Sequence, residues 1–177
     1  EVHQLVKHGF CKDTEFTVTA QTEDSVTFTL IADEETLKSY PYHFELSLSY
    51  HLKGKVLSMD YEVVNHDPDV MYYHIGAHPG FMLPVNEGET IADCVLEFEK
   101  EESFVSYEYD LENMEFNLDK TVHQAGNGNL LPLSVPMFDQ DAVFFEHTNS
   151  HRVSFLNKNT RKGVSMYYPD FESIAFW

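Results

Sequence analysis

The sequence predicts an all-β protein of antiparallel sheets packed face to face. Three observations carry that prediction: apolar residues recur at every second position, turn residues interrupt the alternation at short intervals, and only one stretch looks helical. Phe16, Val18 and Ala20 form a first strand and Val26, Phe28 and Leu30 a second, with Thr22-Glu23-Asp24 as the turn between them. Residues 33–40 are the helical stretch: Asp33 can cap it, Glu34 and Glu35 suit the positive first turn, and Pro41 stops it. Phe44, Leu46, Leu48, Tyr50 and Leu52 then alternate with His43, Glu45, Ser47, Ser49 and His51, which gives a strand with one buried face. Leu57, Met59, Tyr61 and Val63 repeat the pattern after Lys53-Gly54-Lys55, a hairpin turn. Further short strands are expected at 71–75, 95–98, 104–109, 142–146, 152–156, 164–168 and 173–177. Residues 121–129, with Gly126 and Gly128, are expected as a flexible loop.

Length and charge narrow the function. The 177 residues read as one domain, 1–177, and 42% hydrophobic residues suffice for a core. With 11 Lys and Arg against 30 Asp and Glu, the net charge is −19, which repels phosphate backbones and anionic lipid. Nucleic-acid binding and membrane docking are therefore excluded as leading functions. Cys11 and Cys94 form no metal spacing and read as free thiols of a reducing compartment. No apolar run approaches the ~18–20 residues of a membrane span. The opening Glu1-Val2-His3-Gln4-Leu5 has neither the basic nor the apolar region of a secretion signal, so a cytoplasmic location is expected.

Ten histidines invite a metal reading. His74 and His78 have the spacing that would place both on one helix face, but Gly76 lies between them and Pro79-Gly80 follows, so no helix persists there. On a strand the two rings would stand about 13 Å apart, too far for one ion. His78 matters more for its setting, Ile75-Gly76-Ala77-His78-Pro79-Gly80-Phe81, a sharp turn at the end of an aromatic-rich strand, where an imidazole can be held over a cleft. His8-Gly9-Phe10 is a second such turn, its glycine allowing close approach of backbone or ligand. The acidic runs at 97–102 and 110–115 read as solvated faces. Tyr72, Tyr73 and Phe81 suit either a core or stacking on a sugar ring.

At these same residues the chain resembles the aldose 1-epimerases, the galactose mutarotase-related proteins. His8-Gly9-Phe10-Cys11-Lys12 is similar to the family's HGFAR-type segment, and 35–44 to the helix and strand that follow it. Ile75-Gly76-Ala77-His78-Pro79-Gly80-Phe81-Met82-Leu83-Pro84 resembles its GxHPxFxxP strand and turn, and 138–145 its F-x-x-D-A strand. The resemblance implies a large antiparallel β-sandwich of the galactose mutarotase-like kind, here without the family's N- and C-terminal strands. It places His78 at the catalytic acid, and His8, Lys12 and Asp141 at sugar-binding positions around one cleft. Lys12 stands where this branch usually has arginine; it keeps the charge but loses the planar bidentate fork, which bears on any phosphosugar preference.

The implied reaction interconverts the α and β anomers of a free hexose such as galactose or glucose. A base takes the anomeric O–H proton while an acid protonates the ring oxygen; the ring opens, rotates and recloses on its other face. Histidine can run the acid step in both directions near neutral pH, and no metal or organic cofactor is implied. The family's base, a glutamate on a strand after one ending in tryptophan, is expected beyond Ser173-Ile174-Ala175-Phe176-Trp177, so these 177 residues alone are expected to be nearly inactive. The alternative is a non-catalytic carbohydrate-binding β-sandwich lacking the general base.

Overall fold

Hydrogen-bonded alternation becomes two compact units, Glu1–Ile75 and Gly76–Trp177, in a computed structural model that describes residues 8–82, 86–113 and 115–177. Every paired strand is antiparallel, as the alternation predicts.

The first unit is a meander of β1 (Thr17–Gln21), β2 (Ser25–Ile31), β3 (Phe44–Lys53) and β4 (Val56–Asn65), in that spatial order. Gly54, at φ 62°, turns the chain between β3 and β4 in the left-handed region that a side chain disfavours. The register sets Leu46 opposite Val63, Leu48 opposite Tyr61 and Tyr50 opposite Met59, while Phe28 and Leu30 face Leu48 and Leu46. All these side chains share one face. The other face carries hydroxyls: Thr29 bonds Thr19 at 2.9 Å and Ser47 at 3.0 Å, and Thr27 bonds Ser49 at 2.9 Å. The expected helix is shorter than its signals suggest, α1 (Thr36–Ser39). Asp33 Oδ1 accepts the N–H groups of Glu35 and Thr36 at 3.0 and 2.8 Å, which holds its carboxyl below the usual range. Tyr40 is already extended, as the residue before a proline prefers.

The second unit joins β5 (Cys94–Phe98), β6 (Val105–Asp110), β7 (Glu115–His123), β8 (Leu130–Pro132), β9 (Val143–Phe145), β10 (Arg152–Asn157), β11 (Gly163–Tyr167) and β12 (Ile174–Phe176). These form a sheet of order β11-β10-β5-β8 and two-stranded sheets β12-β9 and β6-β7. Its core centres on Phe98, whose ring meets Phe104 at 5.5 Å, Phe145 at 6.2 Å and Phe176 at 6.2 Å. Leu96, Leu131 and Val153 close the cluster, each almost fully buried.

Two expectations are corrected. Residues 71–75 form no strand; Tyr72, Tyr73 and His74 are exposed, and no neighbouring strand pairs with them. Residues 121–123, expected in a loop, end β7, a strand that pairs with β6 on both sides of an irregularity at 118–120, and β8 was not foreseen.

Gly163 occupies a place only glycine fits. A Cβ there would stand 1.7 Å from the backbone carbonyl oxygen of Phe155, on the paired strand. Gly163→Ala is expected to destabilise the unit by about 1–3 kcal/mol, since β10 and β11 must separate locally. Urea unfolding midpoints of the two proteins measure the difference; equal midpoints would contradict this packing.

Candidate functional site

In the first unit, His8 and Gly9 take successive left-handed conformations, φ 67° and 71°. Histidine tolerates that region better than most residues, and the pair bends the chain into a 3₁₀ turn, Cys11–Asp13. Phe10 anchors the bend, its ring packing on Tyr40 at 5.7 Å and Phe44 at 5.8 Å. Thr14 Oγ1 donates to the Phe10 carbonyl at 2.9 Å, and the Tyr40 hydroxyl donates to the Tyr72 carbonyl at 2.8 Å. His8 and Lys12 are thereby presented on the exposed side of one anchored turn. The Lys12 ammonium pairs with Asp13, so its charge is partly met within the turn. Burial pushes the Cys11 thiol up, which makes it a poor nucleophile.

In the second unit, His78 lies on irregular backbone, exposed, and its ring meets that of Trp177 edge to face, with centroids 4.0 Å apart and planes at 67°. Trp177 directly follows β12, whose Ile174 and Phe176 are buried in the core. Three residues past His78, the Phe81 ring packs on Phe155 at 5.4 Å, and Phe155 packs on Phe176 at 5.7 Å. A ring of contacts thus runs from His78 through Trp177, Phe176, Phe155 and Phe81 back to the same segment. It ties a segment that lies in no strand to the core of the unit.

Asp141 comes to the same end of the β9–β12 sheet by register. Val143 pairs with Phe176, so the residues before Val143 lead toward Trp177. Asp141 sits there at φ 75°, half-buried, its N–H donated to the Phe138 carbonyl at 3.0 Å. A non-glycine residue in this conformation is uncommon and concentrates at sites where geometry serves function. The sequence pointed to His8, Lys12, His78 and Asp141 but not to Trp177 and Phe81 as the supports of His78. The signal was present in both cases, an aromatic at a strand end and another directly beyond Pro79-Gly80.

Among the described residues, no three His, Cys, Asp or Glu side chains are grouped to hold a metal ion. Among the same described residues, no helix is long and apolar enough to cross a membrane.

Comparison with known proteins bears on the family and the fold. The aldose 1-epimerase family model matches residues 1–176. The plasmid and chromosomal LacX proteins of Lactococcus lactis subsp. lactis are each 33% identical over 172 residues, 97% of this chain and 58% of theirs. A galactose mutarotase related enzyme from Lactobacillus acidophilus superposes with a TM-score of 0.83 at 27% identity, over 99% of this chain and 58% of that one. A galactose mutarotase-like protein from Lactobacillus casei gives 0.80 at 22% identity, over 99% and 60%, a likeness of fold. The chain thus spans about three fifths of the length of its relatives. An all-β antiparallel fold of the galactose mutarotase kind and a family match from end to end together place this chain in the aldose 1-epimerase family.

Proposed function

We propose that this chain belongs to a mutarotase, an isomerase that interconverts the α and β anomers of a free aldose such as galactose or glucose by acid–base ring opening. The observation that supports the reading most is His78, an exposed imidazole held by Trp177 at the end of the sheet where Asp141 emerges. An imidazole with this access can give a proton to the ring oxygen and take it back near neutral pH.

His78 takes the role of acid. His8, Lys12 and Asp141 take the sugar-binding roles, and the chemistry suits them. A carboxylate accepts hydrogen bonds from two vicinal hydroxyls, while an imidazole and an ammonium donate to hydroxyl oxygens. Ammonium in place of guanidinium favours a neutral hexose over a phosphorylated one, because the fork that grips phosphate is missing. The family resemblance puts the general base, a glutamate, within the two fifths of the relatives' length that this chain does not span. A cytoplasmic setting belongs to the same reading, since Cys11 and Cys94 are both free thiols.

Polarimetry tests the reading. A polypeptide that carries this chain over the full length of its relatives is expected to bring freshly dissolved α-galactose or α-glucose to equilibrium faster than buffer alone. Binding of either sugar without acceleration would replace the enzyme by a carbohydrate-binding sandwich. Neither binding nor acceleration would end both readings.

A further inference from the structure

Trp177 is the chain's one tryptophan, and it directly follows the buried Phe176 of β12. Here its ring centroid stands 4.0 Å from that of His78, closer than any of the core aromatic pairs of the same unit stand to one another. The tilt of 67° is the edge-to-face geometry in which the positive edge of one ring meets the negative face of the other.

From this geometry we propose that Trp177 is a positioning residue for His78: it fixes the plane of the imidazole. The inference rests on the mutarotase reading for its consequence in catalysis, but the contact itself can be measured without it. Three features give it mechanical sense. His78 lies outside any strand, so no sheet ladder fixes its backbone. Trp177 is delivered by β12, which the core holds at Ile174 and Phe176. The far side of the His78 segment is held by Phe81 on Phe155. With backbone fixed on one side and ring on the other, the imidazole keeps one orientation. A proton donor so fixed meets the ring oxygen along a constant line, and misplacement by about 1 Å can cost on the order of 10²-fold in rate.

The experiment has two arms. In the 177-residue chain, proton NMR should show the His78 ring protons displaced from ordinary histidine positions by the indole ring current, with the signals identified by their loss in His78→Asn. Trp177→Leu should return them to ordinary positions, and Trp177→Phe should restore part of the displacement. Protonated imidazole quenches indole fluorescence, so emission from this sole tryptophan should rise as histidine deprotonates, and His78→Asn should remove that step. The fluorescence arm uses the native Trp177 and so decides the contact even if a Trp177 variant fails to fold. In the full-length mutarotase, Trp177→Leu should lower kcat about 10–100-fold with little change in KM, and Trp177→Phe should recover most of it. A rise in KM at constant kcat would instead make Trp177 a sugar-stacking residue and overturn the positioning role. An active parent whose Trp177→Leu variant keeps both the displaced signals and its kcat would overturn it too. An inactive parent that still shows the displaced signals and the fluorescence step would end the mutarotase reading and leave the hold of Trp177 on His78 established.

Discussion

On the proposed mutarotase reading, His78→Asn in a polypeptide that carries this chain over the full length of its relatives is expected to remove about 10²–10⁴-fold of the mutarotation rate while sugar affinity changes little. Asparagine is close in size to histidine and can still hydrogen-bond a ring oxygen, but its amide holds no proton that transfers at neutral pH. The substitution therefore separates contact from proton transfer. If His78 only bound sugar, KM would rise and kcat would stay. If it is the acid, kcat falls and KM stays. Polarimetry at several sugar concentrations distinguishes the two, and unchanged kinetics would remove His78 from the mechanism.

Phe98→Ala is expected to cost the second unit about 3–5 kcal/mol. Phe98 is 1% exposed, and its ring touches those of Phe104, Phe145 and Phe176, which belong to different parts of the chain. None of these neighbours can collapse into the vacated space without leaving its own strand or loop, so the cavity persists. Against a typical domain stability of about 5–15 kcal/mol, the loss takes a large share. Urea unfolding monitored by Trp177 fluorescence provides the measurement, because β12 is one of the elements Phe98 supports. A loss under about 1 kcal/mol would mean that the cluster is looser than these ring distances indicate.

The paired strands could be read from the sequence wherever both faces had distinct chemistry. Residues 44–52 and 57–63 alternate apolar with polar and became β3 and β4 in the register that alternation requires. Residues 71–75 misled because Met71, Tyr72, Tyr73 and Ile75 have high β-propensity, which describes fit to a pleated, half-buried surface rather than a preference of the isolated backbone. Without a partner strand, that propensity had nothing to act on. In β7 the reverse occurred: Leu118 and Val122 alternate, yet both are exposed, and the strand owes its existence to β6. The turn bearing His8 could be located from Gly9, whereas the sharp turn expected at Pro79-Gly80 is not formed and His78 lies on irregular extended backbone. What the sequence could not display was support. The contact of Trp177 with His78 joins positions at opposite ends of the second unit, and neither local pattern refers to the other.

The two-faced sheet of the first unit has a consequence for how its strands find one another. A slip of β2 against β3 by one residue would drive Thr27 and Thr29 among Leu46 and Leu48 and is rejected by chemistry. A slip by two is different. The apolar row would still meet apolar residues, and one threonine would still meet a serine, while the other would face His51 or Glu45. Side-chain pairing separates these phases far less sharply than it separates a slip by one. The connection between the strands helps to separate them, and it holds α1, fastened at its start by Asp33 and closed by the Ala32 N–H on the Phe44 carbonyl at 2.9 Å. That short turn of helix acts as a ruler: its length adds to the side-chain pairing in selecting which of two chemically similar alignments the strands adopt.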